Sequence, residues 1–154
     1  DISNAFYGCY NYNQPVVFNL YSNNDIYIDY YGFSYLFAES PFMTSDIIFI
    51  NSNNMGNHGM NFSSIVCEYN ASNEYCRNNW INIYIENTNE ILNCNVSNNQ
   101  TLNYSDWTKT YDSTKDCYVY SNSTIHVNIY DSVSYALNSF NNYYHDLYGE
   151  YPVY

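Results

Sequence analysis

Acid–base or nucleophilic chemistry in this chain would fall to three histidines, one arginine and a scatter of carboxylates. His58 lies in the Asn- and Gly-rich run from Asn51 to Gly59, a setting typical of a solvated turn residue. His126 falls on the outward side of a predicted strand. His145 precedes Asp146, but neighbours along a strand point to opposite faces and are badly placed to share a proton. A serine nucleophile needs a tight elbow flanked by glycines, and no Gly-x-Ser-x-Gly run occurs. The carboxylates form no pair that argues for glycosidic cleavage. No Cys-x-x-Cys run or Cys/His cluster has zinc spacing, and Asn51 to Gly59 offers no Asp for a calcium loop. The residues therefore point away from an enzyme and imply neither a metal nor a cofactor.

Binding chemistry is better supplied. The chain holds 22 Tyr, 8 Phe and 2 Trp beside an abundance of Asn. Aromatic rings offer a flat apolar face to a sugar ring, while amides pair with its hydroxyls. The outward-facing candidates are Tyr27, Tyr31, Trp80 and Tyr84. The plainer role for any one of them is to anchor a second sheet or cover a sheet edge, and Trp107 is open to the same reading. A sialic-acid carboxylate calls for a cation or a nest of backbone N–H groups. Arg77 is the only arginine and stands three residues before Trp80, which makes the two a candidate sialoglycan pair.

Charge narrows the partners further. Fifteen acidic residues face only Arg77, Lys109 and Lys115, for a net charge of −12. Nucleic acid needs clustered cations and is excluded as a partner. An anionic membrane surface would repel the chain. No run of 18 apolar residues is present to span a bilayer, and no signal peptide is visible, so Asp1 reads as a trimmed terminus.

Six Asn-x-Ser/Thr sequons, at Asn61, Asn70, Asn95, Asn99, Asn103 and Asn122, point to the secretory pathway and an extracellular or virion-surface location. Five cysteines, Cys9, Cys67, Cys76, Cys94 and Cys117, would there form two disulfides and leave one over. Local pairing joins Cys67 to Cys76 and Cys94 to Cys117; a crossed alternative joins Cys67 to Cys94 and Cys9 to Cys76.

The elements that must position these groups read as strands. With 154 residues, 46% of them hydrophobic, residues 1–154 make one domain. Strand signals fall at Pro15 to Tyr21, Asp25 to Tyr31, Phe33 to Ala38, Asp46 to Ile50, Phe62 to Tyr69, Trp80 to Glu86, Cys117 to Tyr120 and Thr124 to Tyr130. In Trp80 to Glu86 the isoleucines alternate inward, with Trp80, Asn82, Tyr84 and Glu86 outward. Ser132 to Tyr148 fits one or two strands, or a short helix near Ser134 to Phe140. Period-2 alternation cut by Asn, Ser and Asp turns predicts an all-β, antiparallel β-sandwich, disulfide-linked and N-glycosylated.

Four stretches stand out in order. Phe6-Tyr7-Gly8-Cys9 with Asn13-Gln14 comes first, then Tyr21-Ser22 leading to Asn24-Asp25-Ile26-Tyr27-Ile28-Asp29. Ile65-Val66-Cys67-Glu68-Tyr69 and Lys115-Asp116-Cys117-Tyr118-Val119-Tyr120, leading to the Asn122 sequon, follow. Together they resemble the N-terminal domain of coronavirus spikes, above all the extra N-terminal galectin-like domain of alphacoronavirus spikes. The Asn- and Tyr-rich stretch after residue 130 lies outside the likeness. The resemblance implies a galectin-like or jelly-roll sandwich at the tip of a trimeric spike, binding a host-cell sialoglycan or protein receptor, or shielding the spike. A second class of function is a self-assembling filament, pilus or coat subunit that donates its N-terminal strand, Pro15 to Tyr21, to a neighbour's sheet edge.

Overall fold

The computed structural model describes residues 6, 8, 9, 11–19, 42–51, 80–86, 94–97, 100–124 and 126–154, with the backbone alone for 94–97 and 100–102. Eight strands and one helix follow in chain order: β1 (Val16–Asn19), β2 (Ile47–Ile50), β3 (Ile81–Tyr84), β4 (Cys94–Ser97), β5 (Gln100–Leu102), β6 (Thr108–Asp112), β7 (Cys117–Asn122), β8 (Val127–Tyr130) and α1 (Ser134–Tyr148). Six of the strands form one sheet in the order β1-β2-β3-β8-β7-β6, and β4 and β5 make a separate two-stranded ribbon. The predicted strands Asp25 to Tyr31, Phe33 to Ala38 and Phe62 to Tyr69 lie outside the described residues.

The fold is β-rich, as expected, but the sheet is mixed. β1 pairs with β2, β2 with β3, and β3 with β8, all parallel; β8–β7 and β7–β6 are antiparallel. A wholly antiparallel sheet is thus corrected, and one face is covered by a helix. The reason lies in burial. A parallel strand needs a long crossover that covers a face, so its residues are apolar on both sides. β2, Ile-Ile-Phe-Ile, is such a strand.

On one face Ile47, Phe49, Ile81, Ile83, Val127 and Ile129 are fully buried. Each such side chain contributes roughly 1.5–3 kcal/mol relative to exposure. On the other face Ile48, Tyr84, Cys117, Val119 and Tyr130 pack with Val133 and Ala136, and Val17, Ile50 and Phe140 join them. Helix α1 lies over this second face through Ala136 and Phe140, four residues apart and therefore on one stripe. The helix runs well beyond Phe140. It stops at Gly149, whose φ of 74° places it in the left-handed region and whose N–H donates to His145 O at 2.8 Å.

The antiparallel half is a hairpin. Asp112 Oδ1 accepts from the N–H groups of Thr114 and Lys115, each at 3.0 Å, and Asp116 takes φ 51° to turn the chain into β7. Before β8, His126 takes φ 54°, which delays the strand to Val127 from the expected Thr124. Val16–Asn19, the segment named as a donor strand, pairs in parallel with β2 in the chain's own sheet.

Candidate functional site

Strands β3 and β8 carry the same triplet, Asn82-Ile83-Tyr84 and Asn128-Ile129-Tyr130, and the parallel register pairs them residue for residue. Like therefore sits beside like. Tyr84 and Tyr130 stack at 4.4 Å with 8° between their planes. Asn128 Nδ2 donates to Asn82 Oδ1 at 3.0 Å, and Ser121 Oγ of β7 donates to Asn128 Oδ1 at 2.6 Å. Two residues earlier in each strand, Trp80 and His126 stack at 5.0 Å and 5°.

The result is a graded surface. The tyrosine row lies in the core with Ala136 of α1. The amide row, Asn82, Asn128 and Ser121, is half-buried. The Trp80–His126 stack stands at the rim, with Trp80 37% exposed. Asn82 Oδ1 accepts from Asn128, and its Nδ2 group has no hydrogen-bond partner among the described residues. A flat apolar ring next to a row of amides can stack on and hydrogen-bond a hydroxylated ring.

Tyr84 is not part of that surface. It is 1% exposed, which corrects its outward assignment. Alternation in a strand covered on both sides separates two buried faces and does not separate core from solvent. Its hydroxyl accepts from Lys115 Nζ at 2.7 Å, and the same ammonium lies 4.1 Å from the Tyr130 ring centroid. The Tyr84 phenol also hydrogen-bonds Asp46. Burial is the largest effect on all three groups. It pushes the Tyr84 phenol up strongly, against the lowering influence of Lys115. It pushes the Asp46 carboxyl up, partly countered by the Lys115 charge and the Tyr84 hydrogen bond. For Lys115 burial acts downward, but hydrogen bonds with Tyr84 and Tyr130 outweigh it and the ammonium is held above its ordinary range. The cluster ties the β6–β7 turn to β2, β3 and β8.

The remaining sequence candidates divide as follows. Tyr27, Tyr31 and Arg77 lie outside the described residues, as do the sequons at Asn61, Asn70 and Asn99. Asn95 is on β4. Asn103 is exposed at the start of the Tyr104–Asp106 turn. Asn122 is 4% exposed and its Nδ2, the atom a glycan would occupy, donates to Asp106 O at 3.1 Å. A glycan at Asn122 would have to displace that hydrogen bond.

Cys9 and Cys117 are both free thiols in this structure, which shows neither the pairing of Cys94 with Cys117 nor that of Cys9 with Cys76. Cys117 is held instead among apolar side chains beneath α1, where burial raises its thiol further from ionisation. The joins of Cys67 to Cys76 and of Cys67 to Cys94 involve residues outside the described side chains.

His126, Asn82, Asn128 and Ser121 were not candidates on sequence grounds. The signal was the repeated Asn-Ile-Tyr triplet with an aromatic residue two positions upstream of each copy. No family model, curated protein or solved structure matches this chain.

Proposed function

We propose that the chain is an extracellular recognition domain that binds carbohydrate on the Trp80–His126 stack and the adjoining amide row, and acts by attachment rather than catalysis. The observation that carries this reading is an exposed indole, stacked on a histidine, beside a hydrogen-bonded Asn/Ser ladder. Stacking supplies contact area and the amides supply orientation. A host-attachment role at a virion surface, the role implied by the likeness to coronavirus spikes, is the setting we favour. There the sequons at Asn61, Asn70, Asn95, Asn99 and Asn103 carry glycans, and Cys67, Cys76 and Cys94 provide a disulfide within a sandwich-type domain.

The ligand we favour at this shelf is a neutral hexose or hexosamine. Lys109 and Lys115 are each held over a pair of tyrosine rings, away from the Trp80 row. A sialoglycan would depend on Arg77. A glycan array with the secreted chain tests the reading. Binding that disappears in Trp80→Ala and weakens in Asn82→Ala supports it. A silent array, or binding unchanged by Trp80→Ala, refutes it; loss in Arg77→Ala alone would move the site to the sialoglycan pair.

A further inference from the structure

Strand β6 stands at one edge of the six-stranded sheet, with β7 on its inner side and no partner on its outer side among the described residues. Thr108 through Tyr111 are all exposed. An open edge presents unpaired N–H and C=O groups to any strand of matching register. Native edges are blunted by charged side chains, proline, bulges or a cover; the charges on β6, Lys109 and Asp112, are of opposite sign.

We infer that β6 is a self-pairing edge, at which two copies of the chain join antiparallel about a two-fold axis through Thr110. Full overlap of the five residues has a single centre. Thr110 then meets Thr110 of the second copy, Lys109 meets Tyr111, and Thr108 meets Asp112. No like charges face each other, although each chain carries −12. Each cross-strand pair is favourable: an ammonium beside a phenol ring, a hydroxyl beside a carboxylate, and Thr beside Thr on the axis.

The side chains are already on the required faces. Lys109 pairs with Tyr120, and Tyr111 with Tyr118, in the β6–β7 register, so all four share one face. Lys109 Nζ lies 4.3 Å from the Tyr118 ring centroid, and Tyr111 meets Tyr118 edge-on at 5.4 Å. The second copy's Tyr111 would complete an aromatic surround for Lys109, and the reverse contact is identical by symmetry. A two-fold axis perpendicular to the sheet keeps both Trp80–His126 stacks on one side of a continuous twelve-stranded sheet. That arrangement would present two stacks to one ligand-bearing surface.

A five-residue strand buries well under the ~800 Å² per partner of a stable interface, so the dimer is a weak and reversible one. Mutual repulsion of two acidic chains opposes it, and salt relieves that repulsion, so association strengthens as ionic strength rises. Sedimentation equilibrium over a concentration series in high salt tests the proposal. Tyr111→Lys places lysine opposite lysine twice and lowers the association constant by about tenfold. Adding Lys109→Glu turns both clashes into Glu–Lys pairs and restores association. Circular dichroism confirms that each variant is folded; neither residue is buried. A wild-type chain that stays monomeric at its solubility limit overturns the inference. So does a Tyr111→Lys variant that associates as tightly as wild type, or a double variant that does not recover.

Discussion

Lys115 offers the sharpest test of how this sheet is held together. Its ammonium donates to the Tyr84 hydroxyl at 2.7 Å and sits 4.1 Å from the Tyr130 ring centroid, while the Tyr84 phenol hydrogen-bonds Asp46. A hydrogen bond from a charged donor contributes roughly 1.5–3 kcal/mol net, and a part-buried cation over a ring about 1 kcal/mol more. Lys115→Met keeps the alkyl stem and removes both, so the expected loss is about 2–3 kcal/mol. Tyr84→Phe removes the shared hydroxyl and strands two charged groups, for a loss of about 2 kcal/mol. Because the two changes delete one interaction, the double variant should lose less than the sum, with a coupling of about 1–2 kcal/mol. Urea unfolding of the four proteins at neutral pH measures it. A coupling below about 0.3 kcal/mol would refute the reasoning and make the cluster an ordinary surface contact. The pH dependence gives a second check. The folded-state pKa of Lys115 is raised, so its contribution is fully present below about 10.5 and falls as pH rises through the higher folded value. Asp46 is also raised, above 3.8, so its contribution is greatest in acid and declines as pH rises through its folded value. Lys115→Met should flatten the alkaline decline. It should also move the acid decline to higher pH, since the Lys115 charge no longer lowers the Asp46 pKa.

Two further outcomes are expected. Gly149→Ala should destabilise the end of α1 by about 1 kcal/mol in thermal unfolding; φ is 74° and the added Cβ would meet no atom, so backbone strain acts alone. An unchanged midpoint would argue against the left-handed cap. In the native chain Cys117 should alkylate far more slowly than Cys9, because it is buried and its thiol is pushed up, and mild denaturant should equalise the two. Equal native rates, read by mass spectrometry of the labelled peptides, would place Cys117 at the surface.

Much of the element pattern was legible in the sequence, because alternation and β-branching are local properties. Ile47–Ile50, Ile81–Tyr84 and Val127–Tyr130 fall within predicted strand signals, and Cys117–Asn122 starts on one and runs past its predicted end at Tyr120. The helix was half-legible: Val133, Ala136 and Phe140 have helical spacing, but the intervening Asn, Ser and Tyr are weak helix formers, and only packing on the sheet supports the full length to Tyr148. The outward position that alternation gives Trp80 agrees with its 37% exposure.

What the sequence by itself determined is the chemical inventory: an acidic, Tyr- and Asn-rich chain with few cations, suited to sheet formation. What only the tertiary structure decided is which strands meet, and in which direction. Strand pairing is a long-range choice between segments of similar propensity, and nothing within a strand says whether its neighbour runs parallel. The two Asn-Ile-Tyr triplets lie 46 positions apart, and only the β3–β8 register makes them a tyrosine stack and an amide row. The same register brings His126 against Trp80, and the cover of α1 turns Tyr84 from a surface residue into the centre of the core.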